Sequence, residues 1–338
     1  MKRFWLILAI FLVLGVGTHV ACKHPPADED KGPPAGREDT EAVGEDITAK
    51  ETSPASAKEE ASPAGQQHDE AVGEDITAKE TPLTSAKDYL QRGLANRKEG
   101  ELDLAVQDFT KAIEIDPMYA QAYKERGIAY GLQEEYDREI EDYGKAIEVN
   151  PKYSVAYFDR GVAYGRKAEF DKAIEDYTKA IEIAPAYAKA YNNRAFAYIT
   201  TEEYDKAIRD CNKAIELDPN YARAYVNRGT AYGRKKDFER AMQDCNKAIE
   251  LDPKLAVAYG NRGFIYLNQG QHDLALKEYN KASSLDPGLA MAHHGRAMIY
   301  LHEGDQDRAS KELYAACGMG YKPACDQLLE VGEFEFTL

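Results

Sequence analysis

The chain has 338 residues, 30% of them charged, a formal net charge of −16 and five cysteines. Lys and Arg number 43 against 59 Asp and Glu, a balance that offers no concentrated basic face for phosphate contact and argues against a nucleic-acid partner. The acidity is uneven, since residues 23–84 alone hold 16 acidic and 6 basic side chains.

Lys2 and Arg3 open the chain and precede an apolar run from Phe4 to Val16. That run is shorter than the ~20 residues a membrane-spanning helix needs, and its basic front matches an export signal over residues 1–21. Cys22 follows Thr18-His19-Val20-Ala21, which resembles the lipobox of bacterial lipoproteins, where the cysteine is acylated. His19 departs from the leucine usual in that pattern, so ordinary cleavage or retention as an anchor stays open. Each alternative implies a protein outside the cytoplasm, and the lipobox reading implies a periplasmic or outer-membrane-associated lipoprotein anchored through Cys22.

Residues 22–84 follow as a tether rich in Glu, Asp, Ala, Pro, Gly, Ser and Thr. Such a composition buries too little apolar surface to offset chain entropy, which predicts disorder and a reach of roughly 45 Å. Inside it, Glu41 to Thr52 recurs identically at Glu70 to Thr81. The duplication reads as a copied spacer or as two copies of a docking motif.

From residue 85 to 321 one pattern of about 34 residues returns seven times, with starts at Ala86, Ala120, Ser154, Ala188, Ala222, Ala256 and Ala290. Position 4 is Tyr in six repeats (Tyr89 to Tyr259) and His293 in the last. Position 8 is Gly or Ala, position 27 always Ala, and position 20 Ala except for Glu139. Small residues at these points let two helices approach closely, and Pro117, Pro151, Pro185, Pro219, Pro253 and Pro287 end each second helix.

This period and these spacings resemble the tetratricopeptide repeat. The resemblance implies an all-α, right-handed α-solenoid of about seven helix-turn-helix units, closed at residues 322–338 by a capping helix and tail. It also implies a non-catalytic scaffold, without cofactor, that binds a protein or peptide in its concave groove, here as an adaptor in cell-envelope assembly.

Position 7 departs from the family's leucine and is Arg in all seven repeats, from Arg92 to Arg296. Position 23 is Asp or Glu just as uniformly, from Asp108 to Glu312, so each arginine is expected to pair with the carboxylate of its own repeat. The alternative is an anion-binding ladder, which leaves charges unpaired at a cost of several kcal/mol. Cys211 and Cys245 are expected to be buried apolar side chains. The run from Ala316 to Cys325 resembles cysteine-rich Sel-type repeats, which implies a Cys317–Cys325 disulfide holding a helix from Pro323 to about Val331.

In the family the inner groove is lined by positions 2, 5, 6, 9, 12 and 13 of the first helix. Here those positions include Asn193, Asn227 and Asn261, amides suited to the backbone of an extended peptide, or else merely solvated. Around them the sequence places Phe158, Phe196 and Phe264, with Arg166, Lys189, Arg223 and Arg234 adding positive charge. The carboxylate clamp of heat-shock cochaperones is absent, with Leu90 and Leu94 at the deciding places. Met291, His294, Met298 and His302 share one face of the seventh repeat, as groove lining or as an alternative envelope metal site of soft and imidazole ligands. A purely structural spacer is the third reading. No phosphate loop, His-Glu-x-x-His, nucleophile elbow or Cys-x-x-Cys occurs.

Overall fold

The computed structural model describes residues 84–330. The expected export signal, Cys22 and the tether with its duplicated segment lie outside the described residues.

Each repeat forms two helices. Helix A of repeats one to seven is α1 (Ala86–Lys98), α3 (Ala120–Leu132), α5 (Ser154–Arg166), α7 (Ala188–Thr200), α9 (Ala222–Arg234), α11 (Ala256–Asn268) and α13 (Ala290–Glu303). Helix B is α2 (Leu102–Ile115), α4 (Tyr136–Val149), α6 (Phe170–Ile183), α8 (Tyr204–Leu217), α10 (Phe238–Leu251), α12 (His272–Leu285) and α14 (Gln306–Gly318). A last helix, α15 (Lys322–Glu330), closes the described chain.

The turns follow from local chemistry. Ser85 starts α1 with a capping box, its hydroxyl accepting from the Asp88 amide at 3.1 Å while Asp88 accepts from the Ser85 amide. Between helices A and B, position 15 takes a left-handed conformation, supplied by Gly100, Gly270 and Gly304 at the ends of the array but by Glu134, Ala168, Glu202 and Lys236 in repeats two to five. After helix B, Asp116 Oδ1 accepts from the Met118 amide at 3.0 Å, and Asn150, Asp218, Asp252 and Asp286 make the same turn.

Packing within a repeat turns on positions 8 and 24. Phe109, Tyr143, Tyr177 and Tyr279 are buried, and their rings press on Gly93, Gly127, Gly161 and Gly263. A Cβ at Gly161 would meet the Tyr177 ring at 2.8 Å. Where position 24 shrinks to Cys211, position 8 grows to Ala195, whereas the equally small Cys245 still faces Gly229. Cys211 and Cys245 are buried thiols, as the sequence implies, and burial pushes the Cys245 thiol up to about 12. The alanines of positions 20 and 27 have no exposed surface wherever they occur.

The seven arginines pair as expected. Arg126 donates to Asp142 through Nε at 2.7 Å and Nη2 at 2.8 Å, and the equivalent two-nitrogen fork recurs in every repeat. A second bond escapes the sequence reading. Nη1 of Arg126, Arg194, Arg228 and Arg262 donates to position 25 of the preceding repeat, namely Thr110, Thr178, Asn212 and Asn246. Each of these arginines thus fixes both the angle inside its repeat and the seat on the previous one. Arg160 instead faces Gly144, where a Cβ would lie 3.7 Å from its Nη1.

Helices A of neighbouring repeats approach one another closely at every junction except that between repeats two and three, whereas no neighbouring B helices do so to that degree. The stack therefore curves with helix A on the inside, and the groove positions line its concave wall. At the C-terminal end Cys317 and Cys325 form a disulfide. It holds α15 against the seventh repeat, where Leu313, Ala316, Ala324 and Leu328 make a buried cluster.

Candidate functional site

With the arginine column and the alanines consumed by packing, the inner wall is left with the side chains that differ from repeat to repeat. They fall into three stretches of different chemistry.

Over repeats one to three the wall is ionic. Arg97 and Lys124 flank Glu125 at 3.2 and 2.8 Å, and Glu125 is 4% exposed. Glu139, the one break in the alanine column, is 2% exposed and accepts from Arg166 at 2.9 Å and from the Tyr143 hydroxyl at 3.3 Å. Its Oε2 is buried without a hydrogen-bond partner among the described residues. Burial pushes the Glu139 carboxyl up to about 7 although Arg166 opposes it, and burial pushes Asp159 up to about 6 against Lys124. The expectation that Arg166 simply adds positive charge is therefore corrected, because Glu139 neutralises it. Phe158 is corrected too: it is 6% exposed and packs on Tyr177 and Tyr187 at ring centroids of 5.8 and 4.9 Å, inside the core rather than on the wall.

Over repeats four to six the wall is amide and apolar. Asn227 donates to Asn192 Oδ1 at 2.9 Å, Asn261 donates to Thr230 at 2.8 Å, and Asn193 bonds Asn192 and the Tyr177 hydroxyl. Asn227 and Asn261 thus tie neighbouring repeats together, their amides donating to the preceding repeat, while Asn193 accepts from Asn192 through its oxygen. Asn192 is itself buried at 4% and missing from the sequence reading. Phe196 is 37% exposed, Phe264, Lys189 and Arg223 are half-buried, and Arg234 is exposed. Lys189 and Arg223 both have partners within the chain.

At the seventh repeat the wall is covered. Gln327 of α15 donates to Met298 Sδ at 3.4 Å, and His294 lies 5.3 Å from the Tyr321 ring centre. Burial lowers the His294 pKa. Met291 packs near Gly260, and His302 meets His272 of the sixth repeat edge to face at 4.3 Å. The four residues are drawn to different neighbours rather than to one point, and among the described residues no three His, Cys, Asp or Glu converge as metal ligands. Among the same residues no helix is long and apolar enough to cross a membrane.

The sequence signal for the ionic stretch was Glu139 itself. A carboxylate in an alanine column needs room, and Gly131 provides it, since a Cβ there would stand 2.6 Å from the Glu139 carboxyl.

Family models described as the tetratricopeptide repeat match residues 154–187, 188–221, 222–255, 120–153, 245–277 and 262–320, and one described as the TPR repeat matches 93–134. No curated protein matches the chain. Among solved structures, a tetratricopeptide repeat protein from Parabacteroides merdae is similar at a TM-score of 0.64 and 20% identity, over 72% of this chain and 97% of that one. The Cut9–Hcn1 hetero-tetramer of the APC/C gives 0.59 at 19% identity, over 72% and 48%. PilF of Pseudomonas aeruginosa gives 0.54 at 17% identity, over 63% and 97%. These likenesses speak to the fold alone.

Proposed function

The chain belongs to the tetratricopeptide repeat family, and from that premise we propose that it is a non-catalytic scaffold that grips an extended segment of a partner protein along its concave wall. The observation that carries this reading is the division of labour between columns. The repeated columns go to packing, to the arginine forks and to exposed pairs on helix B such as Lys179–Glu182, whereas the helix A positions of the inner wall change from repeat to repeat. Phe196, with Phe264, Asn193, Asn227 and Asn261 nearby, would take apolar side chains of the segment, and Arg223 and Arg234 would meet its acidic ones. The Met291 and His302 end is the least suited to a ligand, because α15 lies across it.

The leader and the Thr18 to Cys22 run support export and lipid attachment through Cys22, which would hold the scaffold at the cell envelope. Labelled palmitate incorporated by the parent and lost in Cys22→Ser is the expected result; equal labelling of both would end that part of the proposal. For the groove, a photo-crosslinking residue at Phe196 in intact cells is expected to capture one protein, and the same residue at Glu175 of helix B is expected to capture none. Capture at Glu175 alone would overturn the concave-wall reading.

A further inference from the structure

The ionic stretch of the wall contains a device that the other repeats lack, and its use rests on the concave wall being the gripping surface. At position 20 six repeats keep alanine, and the second has Glu139. Its carboxylate crosses over Gly131 and reaches Arg166 on helix A of the third repeat at 2.9 Å. Asp159, on that same helix A, faces Lys124 and Glu125 from the second repeat, Arg166 along its own helix and Lys189 from the fourth. The Tyr143 hydroxyl donates to Glu139 at 3.3 Å, and the phenols of Tyr143, Tyr153, Tyr177 and Tyr187 lie within electrostatic reach of Asp159.

We propose that Glu139 and Asp159 form a proton gate on the wall: ionised, they neutralise its cations, and protonated, they turn Arg166 and Lys189 over to the carboxylates of an acidic stretch of a partner protein. Lys124 also acts on Asp159 but pairs with Glu125 at 2.8 Å, which leaves Arg166 and Lys189 as the cations the gate releases. Taking up one proton at each carboxylate raises the local charge by two without breaking a bond at Glu139 Oε2, which has no hydrogen-bond partner to lose. The upward displacement that burial gives both groups puts their titration near neutral rather than in the ordinary carboxylate range. An anionic segment lying beside them favours the protonated form further. Binding therefore takes up protons and tightens as pH falls.

The test uses the full chain and a fluorescent oligo-aspartate peptide, whose side chains stay ionised from about pH 8 to about pH 5.5. At constant ionic strength, anisotropy is expected to show affinity rising about tenfold or more over that fall in pH. Glu139→Ala combined with Asp159→Asn is expected to bind tightly at both ends, with a change under about twofold, which separates the gate from the histidines of repeats six and seven. Should the double variant lose its helical circular dichroism, Glu139→Gln alone is expected to reduce the pH response, and Arg166→Gln to weaken binding about tenfold at the acidic end. Equal affinity at both ends in the parent, a response untouched by the variants, or no binding at either end overturns the gate. Crosslinking at Phe196 reads the groove separately, so a captured partner with a flat oligo-aspartate profile sinks the gate and leaves the groove.

Discussion

Repeats one to three and repeats four to six share one skeleton and present opposite walls. In the first group helix A carries Arg97, Lys124, Glu125, Asp159 and Arg166, all engaged with one another or with Glu139. In the second, amides bond from repeat to repeat and aromatic rings stand beside them. The stacking differs at one junction within the ionic stretch. Arg126, Arg194, Arg228 and Arg262 each reach back to the preceding repeat, while Arg160 faces Gly144, and the A helices of repeats two and three approach least. A solenoid tolerates such differences because each repeat answers only to its neighbours, so one stretch can hold buried charge while the next is stapled by amides.

The widest test of this contrast is in the arginine column. Arg194→Ala leaves Asp210 buried without its fork and is expected to cost ~4 kcal/mol in urea unfolding. Arg160→Ala, which strips Asp176 alike but breaks no bond to the preceding repeat, is expected to cost ~3 kcal/mol. Equal costs would show that the position-25 bond contributes nothing.

Next comes Glu139. Its folded carboxyl titrates above the unfolded one, so the stability it contributes is complete below the unfolded value near 4.5 and is lost as pH rises through about 7. Glu139→Gln, neutral throughout, is expected to match the parent near pH 4 and to be more stable by ~3 kcal/mol near pH 8, read from unfolding curves at both. No residue on the wall of repeats four to six should behave in this way.

Close packing gives a smaller effect. Gly161→Ala drives a methyl into the Tyr177 ring and is expected to lower stability by ~2 kcal/mol, net of its better helix propensity. Gly229→Ala meets the Asp244 Cβ at 3.2 Å, the Ala241 carbonyl oxygen at 3.3 Å and the Cys245 sulfur at 3.6 Å, none as close as the Tyr177 ring, and is expected to cost less, ~1 kcal/mol. The smallest change imports a central feature into the looser junction: Gly144→Thr offers Arg160 the hydroxyl that Arg126 and Arg194 already have. A gain of ~1 kcal/mol in thermal unfolding is expected, and no gain would detach that hydroxyl from junction strength.

Much of this molecule can be read without coordinates, because its determinants repeat. A small residue at position 8 and an alanine at 27 mean the same thing in each unit, as does the proline at 32 in the first six, and the pairing of Arg92 with Asp108 is as plain as that of Arg262 with Glu278. The disulfide of Cys317 with Cys325 was legible through resemblance. The wall was less so, since a register position says which way a helix faces but not what its neighbours do. Phe158 sits at a groove position and still turns into the core, because Tyr187 and Tyr177 present rings for it to pack on.

The sequence by itself determined the repeat, the helix pairs and the arginine forks, since each depends on residues a fixed distance apart along one chain. Only the tertiary structure decided which wall side chains remain available, because that depends on partners one repeat away. Asn227 finds Asn192, His302 finds His272, and Glu139 crosses a glycine to reach Arg166. Those meetings are set by the angle at which one repeat stacks on the next, and that angle results from packing between the neighbouring repeats.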